Sequence, residues 1–320
     1  MMTPFKLLPS FKDYLWGGTR LRDEFRKDSA LTPLAESWEL SCHPDGESRV
    51  ADGPFAGLAF SEYLEKSGPA SLGKNCEKFT KFPIMIKLID AKEPLSIQVH
   101  PTEEYARRTG TDSKTEMWVV LDAEPGAKLI YGFKQPLTQE EFSTRICENT
   151  LLEAVNEEPV RPGDVFFIEA GTLHAIGGGI LLAEIQQNSN ITYRVYDYGR
   201  LGPDGRPRAL HTEEAIAVTV LAPPTRPAGP QGDPEDRGGW RETLLAGCPY
   251  FTVRRIETQS AYPDSPAGDS FRAILAVTDG LAICSEGQRL PLQKGETAFV
   301  PANAAAYTVE GKGTFLLTTV

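Results

Sequence analysis

The chain has 320 residues, a formal charge of −11, 40% hydrophobic and 24% charged residues. That length suggests about two domains, and that composition belongs to a globular chain able to bury a core. The acidic balance and the lack of any Lys/Arg-rich run argue against nucleic acid and anionic membrane surfaces as partners. A small anionic molecule stays open, provided that its site concentrates positive charge, which the stretch from Lys87 to Arg208 could supply. No stretch reaches the roughly 18 apolar residues of a membrane helix, and the opening Met-Met-Thr-Pro-Phe-Lys does not read as a secretory leader. The five cysteines, Cys42, Cys76, Cys147, Cys248 and Cys284, are far apart and form no C-x-x-C pair. They read as packing residues in a reducing cytoplasm.

Along the chain, short β-like runs recur between Gly and Pro turn signals. A first helix is expected over Ser61–Lys66, followed by strands over Phe82–Asp90, Leu95–His100, Met117–Leu121 and Lys128–Tyr131. A second helix fits Thr138–Asn149, with strands at Val165–Ile168 and Ile191–Tyr198, and a third helix fits Thr212–Val220. Further strands are expected at Arg272–Val277 and Thr297–Val300. Short strands at this spacing suggest an all-β-dominated sandwich or barrel with a few short helices, not alternating βαβ units. The segment Ala222–Gly239 is dense in Pro and Gly and cannot bury an apolar face, so it reads as an exposed linker. The expected division is 1–221, linker 222–239, and 240–320.

The two sides share a faint repeat. Gly163–Ile176 reads GDVFFIEAGTLHAI and Gly295–Thr308 reads GETAFVPANAAAYT, each a Gly-acid pair, an apolar strand and a small-residue turn. His174 of the first copy aligns with Ala306 of the second, so a metal site is expected only in the first.

Leu95–His100, LSIQVH, alternates strictly. In a strand, Ser96, Gln98 and His100 would share one face and Leu95, Ile97 and Val99 the other. Donors at i and i+2 suit one ion, or they form a polar strip facing solvent. His174 ends a strand-turn segment, G-x5-E-x-G-x2-H, whose spacing resembles the second cupin motif, with Glu169 where a proline is usual. Gln98-x-His100 and the downstream Glu116 resemble the first. The shared architecture implies that Gln98, His100, Glu116 and His174 converge in one barrel mouth. Two histidines, a glutamine and a glutamate suit zinc, with iron open on ligand type alone.

Longer blocks carry a closer resemblance. FPIMIKLIDAKEPLSIQVHP (Phe82–Pro101), KTEMWVVLDAEPGAKLIYGF (Lys114–Phe133) and ILLAEIQQNSNITYRVYDYGR (Ile180–Arg200) are similar to the signature blocks of type I phosphomannose isomerases. So are YLWGGTRL (Tyr14–Leu21) and AESWELSCHPDG (Ala35–Gly46). The length resembles the short bacterial form. The resemblance implies two cupin-type jelly-roll β-barrels, one zinc per chain, and interconversion of mannose 6-phosphate and fructose 6-phosphate through an enediol. It implies a cytoplasmic monomer or weak homodimer whose partner is a small sugar phosphate. The family's ligands fall on Gln98, His100, Glu116 and His174, and its catalytic arginine falls on Arg194. Lys114 corresponds to a lysine proposed for proton transfer, and Ser96 and Lys87 match positions near the substrate phosphate. Asn190 stands where aspartate is frequent, which weakens any general-base role there.

Such an isomerisation needs a base, stabilisation of charge on two oxygens, and a grip on the phosphate. Arg194 could serve the enediolate or the phosphate, or simply pair with Asp197. Lys114 could carry a proton or bind phosphate, and Lys87 could be a structural ion pair. His43 and His211 read as core or surface polar residues, with His43 able to line the mouth. The alternatives are a non-catalytic sugar-phosphate sensor and an iron-dependent cupin oxygenase.

Overall fold

A computed structural model describes residues 2–202 and 205–320. Four antiparallel sheets carry most of the chain, with six, five, eight and four strands. The six-stranded sheet runs Val165–Ile168, Glu116–Ala123, Ile180–Gln187, Ile84–Ala91, Glu36–Leu40, Ser10–Lys12. The five-stranded sheet runs Val155–Pro159, Lys128–Phe133, His174–Ala175, Ile97–Val99, Tyr193–Tyr196.

Pleating sorts each strand of the six-stranded sheet between two apolar layers. Ile86, Leu88, Met117, Val119, Leu181 and Ala183 pack with Leu275, Phe299 and Leu316 of the eight-stranded sheet. The alternate residues, Ile89, Trp118, Val120, Ile180 and Leu182, face the five-stranded sheet through Leu129, Tyr131 and Ile176. The five-stranded sheet's outer face carries Ile97, Val99, Tyr193 and Val195, covered by Phe142, Leu151, Ala215 and Val218 from short helices. The eight- and four-stranded sheets enclose a separate core of Ile274, Ile283, Val309 and Phe315. The molecule is thus a stack of helices and four sheets, with the candidate site between the five- and six-stranded sheets.

The N-terminal strand Phe5–Leu8 belongs to the eight-stranded sheet, where Phe5 pairs with Phe299 and Lys6 with Ala298. Residues at the two ends of the chain therefore complete one sheet. The Pro-rich segment after Leu221 is mostly exposed; its first part lies along the first module, whereas Gln231 and Gly232 bond to Leu245 and Leu244 and Glu235–Asp236 forms an edge strand of the eight-stranded sheet, inside the expected linker. Gly229 N–H donates to Val165 O (2.7 Å), Tyr131 Oη donates to Arg226 O (3.0 Å), and the Arg226 guanidinium lies 3.9 Å over the Phe167 ring.

Helices form at Phe60–Ser67, Gln139–Cys147 and Thr212–Val218. The second starts in a capping box: Thr138 Oγ1 accepts from Glu141 N (3.1 Å) while Glu141 Oε2 accepts from Thr138 N (2.7 Å). Three short helices, Arg20–Asp23, Glu103–Thr109 and Leu151–Ala154, were not anticipated. The Leu95–His100 alternation also needs correction. The strand is only Ile97–Val99, and Leu95 packs with Trp118 and Ile180, away from Ile97 and Val99. Leu95 precedes the pleated residues, so the period of two does not reach it.

Candidate active site

The face that the five-stranded sheet turns inward is built around Gln98. Its strand is flanked on one side by His174, directly opposite Gln98, and on the other by Arg194, also opposite Gln98. Opposed residues in antiparallel strands point to the same side. His174, Gln98 and Arg194 thus form a row across three strands, with His100 just beyond the end of the central one. Across the gap, the six-stranded sheet presents Glu116, Lys87 and Glu184, which share pleat parity with Trp118 and Ile89.

Three of these side chains meet. Ligand atoms of His100, Glu116 and His174 all lie within 4.8 Å of one another, and all three residues are buried. His100 Nε2 is 3.4 Å from Glu116 Oε2, and His174 Nε2 is 3.4 Å from Glu116 Oε1. The Gln98 carboxamide is 3.4 Å from His174 Nε2. Four ligands arranged tetrahedrally about 2.1 Å from an ion stand roughly 3.4 Å apart. The residues present therefore fit a divalent ion. Both Glu116 oxygens are buried; among the described residues Oε1 has no hydrogen-bond partner, while Oε2 is met by the Lys114 ammonium (2.7 Å), so the carboxylate keeps capacity for a cation. His174 Nδ1 lies 2.8 Å from Thr172 O; donating there, the ring turns its Nε2 lone pair toward Glu116 and Gln98.

Burial, then the nearby Lys114, hold the His100 ring neutral with its pKa down at about 3. Burial lowers that of His174 as well. For Glu116, burial acts in the opposite sense but is outweighed by Lys114 and both histidines, leaving its carboxyl well below the usual range. Neutral imidazoles and an ionised carboxylate are the states a metal requires.

Lys114 is buried beside the trio, with Nζ 2.7 Å from Glu116 Oε2, 3.2 Å from His100 Nε2 and 4.0 Å from Glu184 Oε1. Lys87 is buried between Glu184 (3.2 Å) and Glu36 (3.6 Å), its ammonium 5.0 Å over the Trp38 ring. Burial works against its charge, yet Glu36 and Glu184 more than compensate and push its pKa up. Ser96 is buried directly before the Ile97–Val99 strand. Glu184 was not anticipated: it accepts from Trp118 Nε1 (2.9 Å), and burial followed by the charge of Glu116 raises its pKa. A single acid in the apolar strand ILLAEIQQ, in phase with Ile180 and Leu182, was the available signal.

Arg194 is half-buried. Its Nη1 donates to Ala209 O (3.0 Å) and its buried Nε has no hydrogen-bond partner among the described residues. It does not pair with Asp197, whose carboxylate is taken by Arg200 and Arg208. His211 braces Arg194: its Nδ1 accepts from Arg194 N (3.2 Å) and its N–H donates to Arg194 O (2.8 Å). Asn190 donates to Asp45 Oδ2 (2.7 Å), and the neighbouring His43 accepts from Asp45 N (3.1 Å). His43 also sits edge-on to Trp38 at 6.1 Å.

The phosphomannose isomerase type I catalytic domain matches residues 4–123, and the mannose-6-phosphate isomerase cupin domain matches residues 241–320. The chain is 35% identical to the probable mannose-6-phosphate isomerase GmuF of Bacillus subtilis over 99% of each chain. It is 33% identical to the mannose-6-phosphate isomerase of Streptococcus mutans over 97% of this chain and 96% of that one. The crystal structure of mannose 6-phosphate isomerase from Bacillus subtilis, 32% identical, superposes over 100% of both chains with a TM-score of 0.92.

Proposed function

The chain belongs to the type I phosphomannose isomerase family, and from that premise we propose that it interconverts mannose 6-phosphate and fructose 6-phosphate through an enediol, with one zinc ion held by Gln98, His100, Glu116 and His174. The observation that carries the metal assignment is the repeated 3.4 Å spacing around Glu116. When bound, zinc supplies Lewis-acid polarisation of the sugar oxygens at C1 and C2.

The chain's own residues do the rest. Arg194 is the row-mate of Gln98 and the half-buried guanidinium nearest the ligand row in register, so it stabilises the negative charge of the enediolate. Lys114, between the ligands and Glu184, moves the proton between C1 and C2. Lys87 holds Glu36 and Glu184 in place by pairing with both. Ser96, beside the Gln98 strand, lies on the path of the sugar chain. Proton transfer at a C–H beside a carbonyl needs a dry site, and burial of Lys114, Glu116 and Glu184 supplies one.

We read the sheets as two cupin-type jelly-roll barrels: residues 1–221 carry the chemistry, 222–239 link, and 240–320 hold no metal ligands. The Phe5–Leu8 strand joins the second barrel to the first. Among the described residues no helix is long and apolar enough to cross a membrane, and we assign the enzyme to the cytoplasm as a monomer or weak homodimer. A coupled assay with mannose 6-phosphate, with and without chelator, tests the reaction. Metal analysis of protein purified without added metal separates zinc from iron. Turnover undiminished by chelation and full metal removal would end the zinc reading.

A further inference from the structure

The sheet secures Glu116 more firmly than it secures Lys114. Glu116 opens its strand and pairs with Ile168 on one side and Gln186 on the other. Lys114 lies two residues before that strand, and its own N–H reaches Pro101 O at only 3.3 Å. The place of its ammonium beside Glu116 therefore depends on what holds residues 113–115. Gln187 supplies most of that hold. Its N–H donates to Thr115 O (3.0 Å), its Oε1 accepts from Thr115 N (2.7 Å), and its Nε2 donates to Ser113 Oγ (2.8 Å). Ser113 Oγ donates in turn to Glu103 Oε1 (2.6 Å), which also accepts from Gln187 Nε2 (3.3 Å). The residues on both sides of Lys114 are thus tied to one carboxylate oxygen.

A further donor to that oxygen comes from the eight-stranded sheet. Tyr250 Oη donates to Glu103 Oε1 (2.7 Å). Tyr250 lies in the turn between the strands Trp240–Gly247 and Thr252–Thr258, within the segment 241–320 that matches the cupin domain. The turn closes with Cys248 N donating to Phe251 O (2.9 Å), and Lys78 Nζ donates to Pro249 O (2.8 Å). Phe251 is buried with its ring 6.4 Å from that of Phe167, the residue opposite Met117 in the neighbouring strand. Apolar docking of this turn needs Phe251 but no hydroxyl, so the Tyr250 bond to Glu103 has a separate purpose. The bond from Ser113 outweighs the effect of burial on Glu103 and, with those from Tyr250 and Gln187, keeps its carboxyl below the usual range. An ionised acceptor makes each of these bonds stronger.

We propose that Tyr250 and Glu103 are positioning residues for Lys114, so that the segment 241–320, which contains no histidine, contributes to turnover from across the module boundary. This rests on the reading of Lys114 as the group that moves the proton. Tyr250 orients the Glu103 carboxylate, Glu103 orients Ser113 Oγ and the Gln187 carboxamide, and these hold the Thr115 peptide next to Lys114. Clefts of about 620 and 530 Å³ flank the Tyr250 contact, so removing its hydroxyl deletes a bond without opening the core.

The test is steady-state kinetics with mannose 6-phosphate on zinc-loaded wild type, Tyr250→Phe, Glu103→Ala and Glu103→Gln, with zinc content and melting temperature measured for each. Tyr250→Phe should lower kcat roughly 3- to 10-fold and Glu103→Ala roughly 10- to 100-fold, as for a displaced catalytic group. KM should stay within about twofold and zinc content should not change, because neither residue touches substrate or ligands. Glu103→Gln keeps an acceptor oxygen and should recover most of the loss. In a Lys114→Ala background, Tyr250→Phe should cost nothing further, since the group that it positions is gone. Wild-type kcat in both Tyr250→Phe and Glu103→Ala, with only the melting temperature lowered, would overturn the proposal. Hydrogen exchange at the Thr115 amide separates this from failure of the isomerase reading, because it should quicken in Tyr250→Phe whatever the reaction. If wild type does not turn over mannose 6-phosphate, the isomerase reading is overturned; quickened exchange then still supports the positioning contact, and unchanged exchange overturns that as well.

Discussion

Arg194 stands directly opposite Gln98 in antiparallel register, on the far side of that residue from His174. The arginine is therefore tied to Gln98 and His174 through the sheet ladder itself, and its own backbone is held by His211. Replacing its side chain should leave the ladder intact.

If Arg194 stabilises charge that grows in the transition state, Arg194→Ala should lower kcat by roughly 10²–10³, or about 3–4 kcal/mol, with little change in KM. Arg194→Lys should recover little, because an ammonium lacks the planar fork. Kinetics on zinc-loaded protein with a native circular dichroism spectrum decide the matter. A raised KM with wild-type kcat would move Arg194 to ground-state substrate binding.

His100→Ala and His174→Ala should each lose bound metal and activity together. Each removes a neutral donor whose Nε2 faces Glu116 at 3.4 Å, and three remaining ligands hold zinc more weakly. Elemental analysis after dialysis should fall well below one ion per chain. A fully metal-loaded His174→Ala protein would remove that residue from the ligand set.

Stripped of metal, the protein should lose stability as pH falls below about 6.5. His100 is held at about 3 when folded, against 6.5 for a free ring. Above 6.5 neither state binds the proton and this contribution is complete; between 6.5 and 3 the unfolded chain protonates and the folded one does not. His174 shifts in the same direction. Glu116, held low, adds a further loss as pH drops through the usual carboxylate range. Urea midpoints of chelator-treated protein from pH 7.5 to 4.5 provide the check, and a flat profile contradicts the buried neutral histidines.

Strand positions were readable where turn signals bracket them. Val165–Ile168 and Thr297–Val300 fall at the expected bounds, each preceded by a glycine at positive φ, Gly163 (96°) and Gly295 (84°). The helix Glu103–Thr109 was missed because EEYARRT buries only Ala106 and so lacks an apolar stripe. Its caps define it instead: Thr102 Oγ1 accepts from Tyr105 N (3.3 Å), and Gly110 closes it in the left-handed region. Within the site, pleat parity could be read from each strand alone, as for Gln98 and His100. The partners of Lys87 and Asp197 could not. Which carboxylate faces Lys87 depends on register between strands distant in sequence, and the extra residue at Val195, where Arg194 pairs with Gln98 but Tyr196 with Ile97, leaves no mark in ITYRVYDY.

Gly171 sits in the turn that supports both histidines and bonds to the backbone of one of them. Its N–H donates to His100 O (3.0 Å), and the next residue, Thr172, offers the carbonyl that faces His174 Nδ1 at 2.8 Å. The N–H of one residue and the carbonyl of the next thus hold the backbone of one histidine and set the tautomer of the other. Gly171 adopts φ +90°, and an added Cβ would meet Val218 O and Val220 Cγ2 at 3.0 Å and Thr102 Cγ2 at 3.2 Å. Gly171→Ala is therefore strained in its own backbone and crowded by a carbonyl that cannot easily retreat. The turn should shift, moving His100 and His174 relative to Glu116, where a displacement of a few tenths of an ångström matters. Zinc affinity should fall about 10- to 100-fold, as for other changes to groups that orient ligands. Competition against a chromogenic chelator measures this directly, alongside a thermal melt of the metal-free protein. A lower melting temperature with zinc affinity within twofold of wild type would mean that Gly171 serves the fold alone and leaves the metal site unaffected.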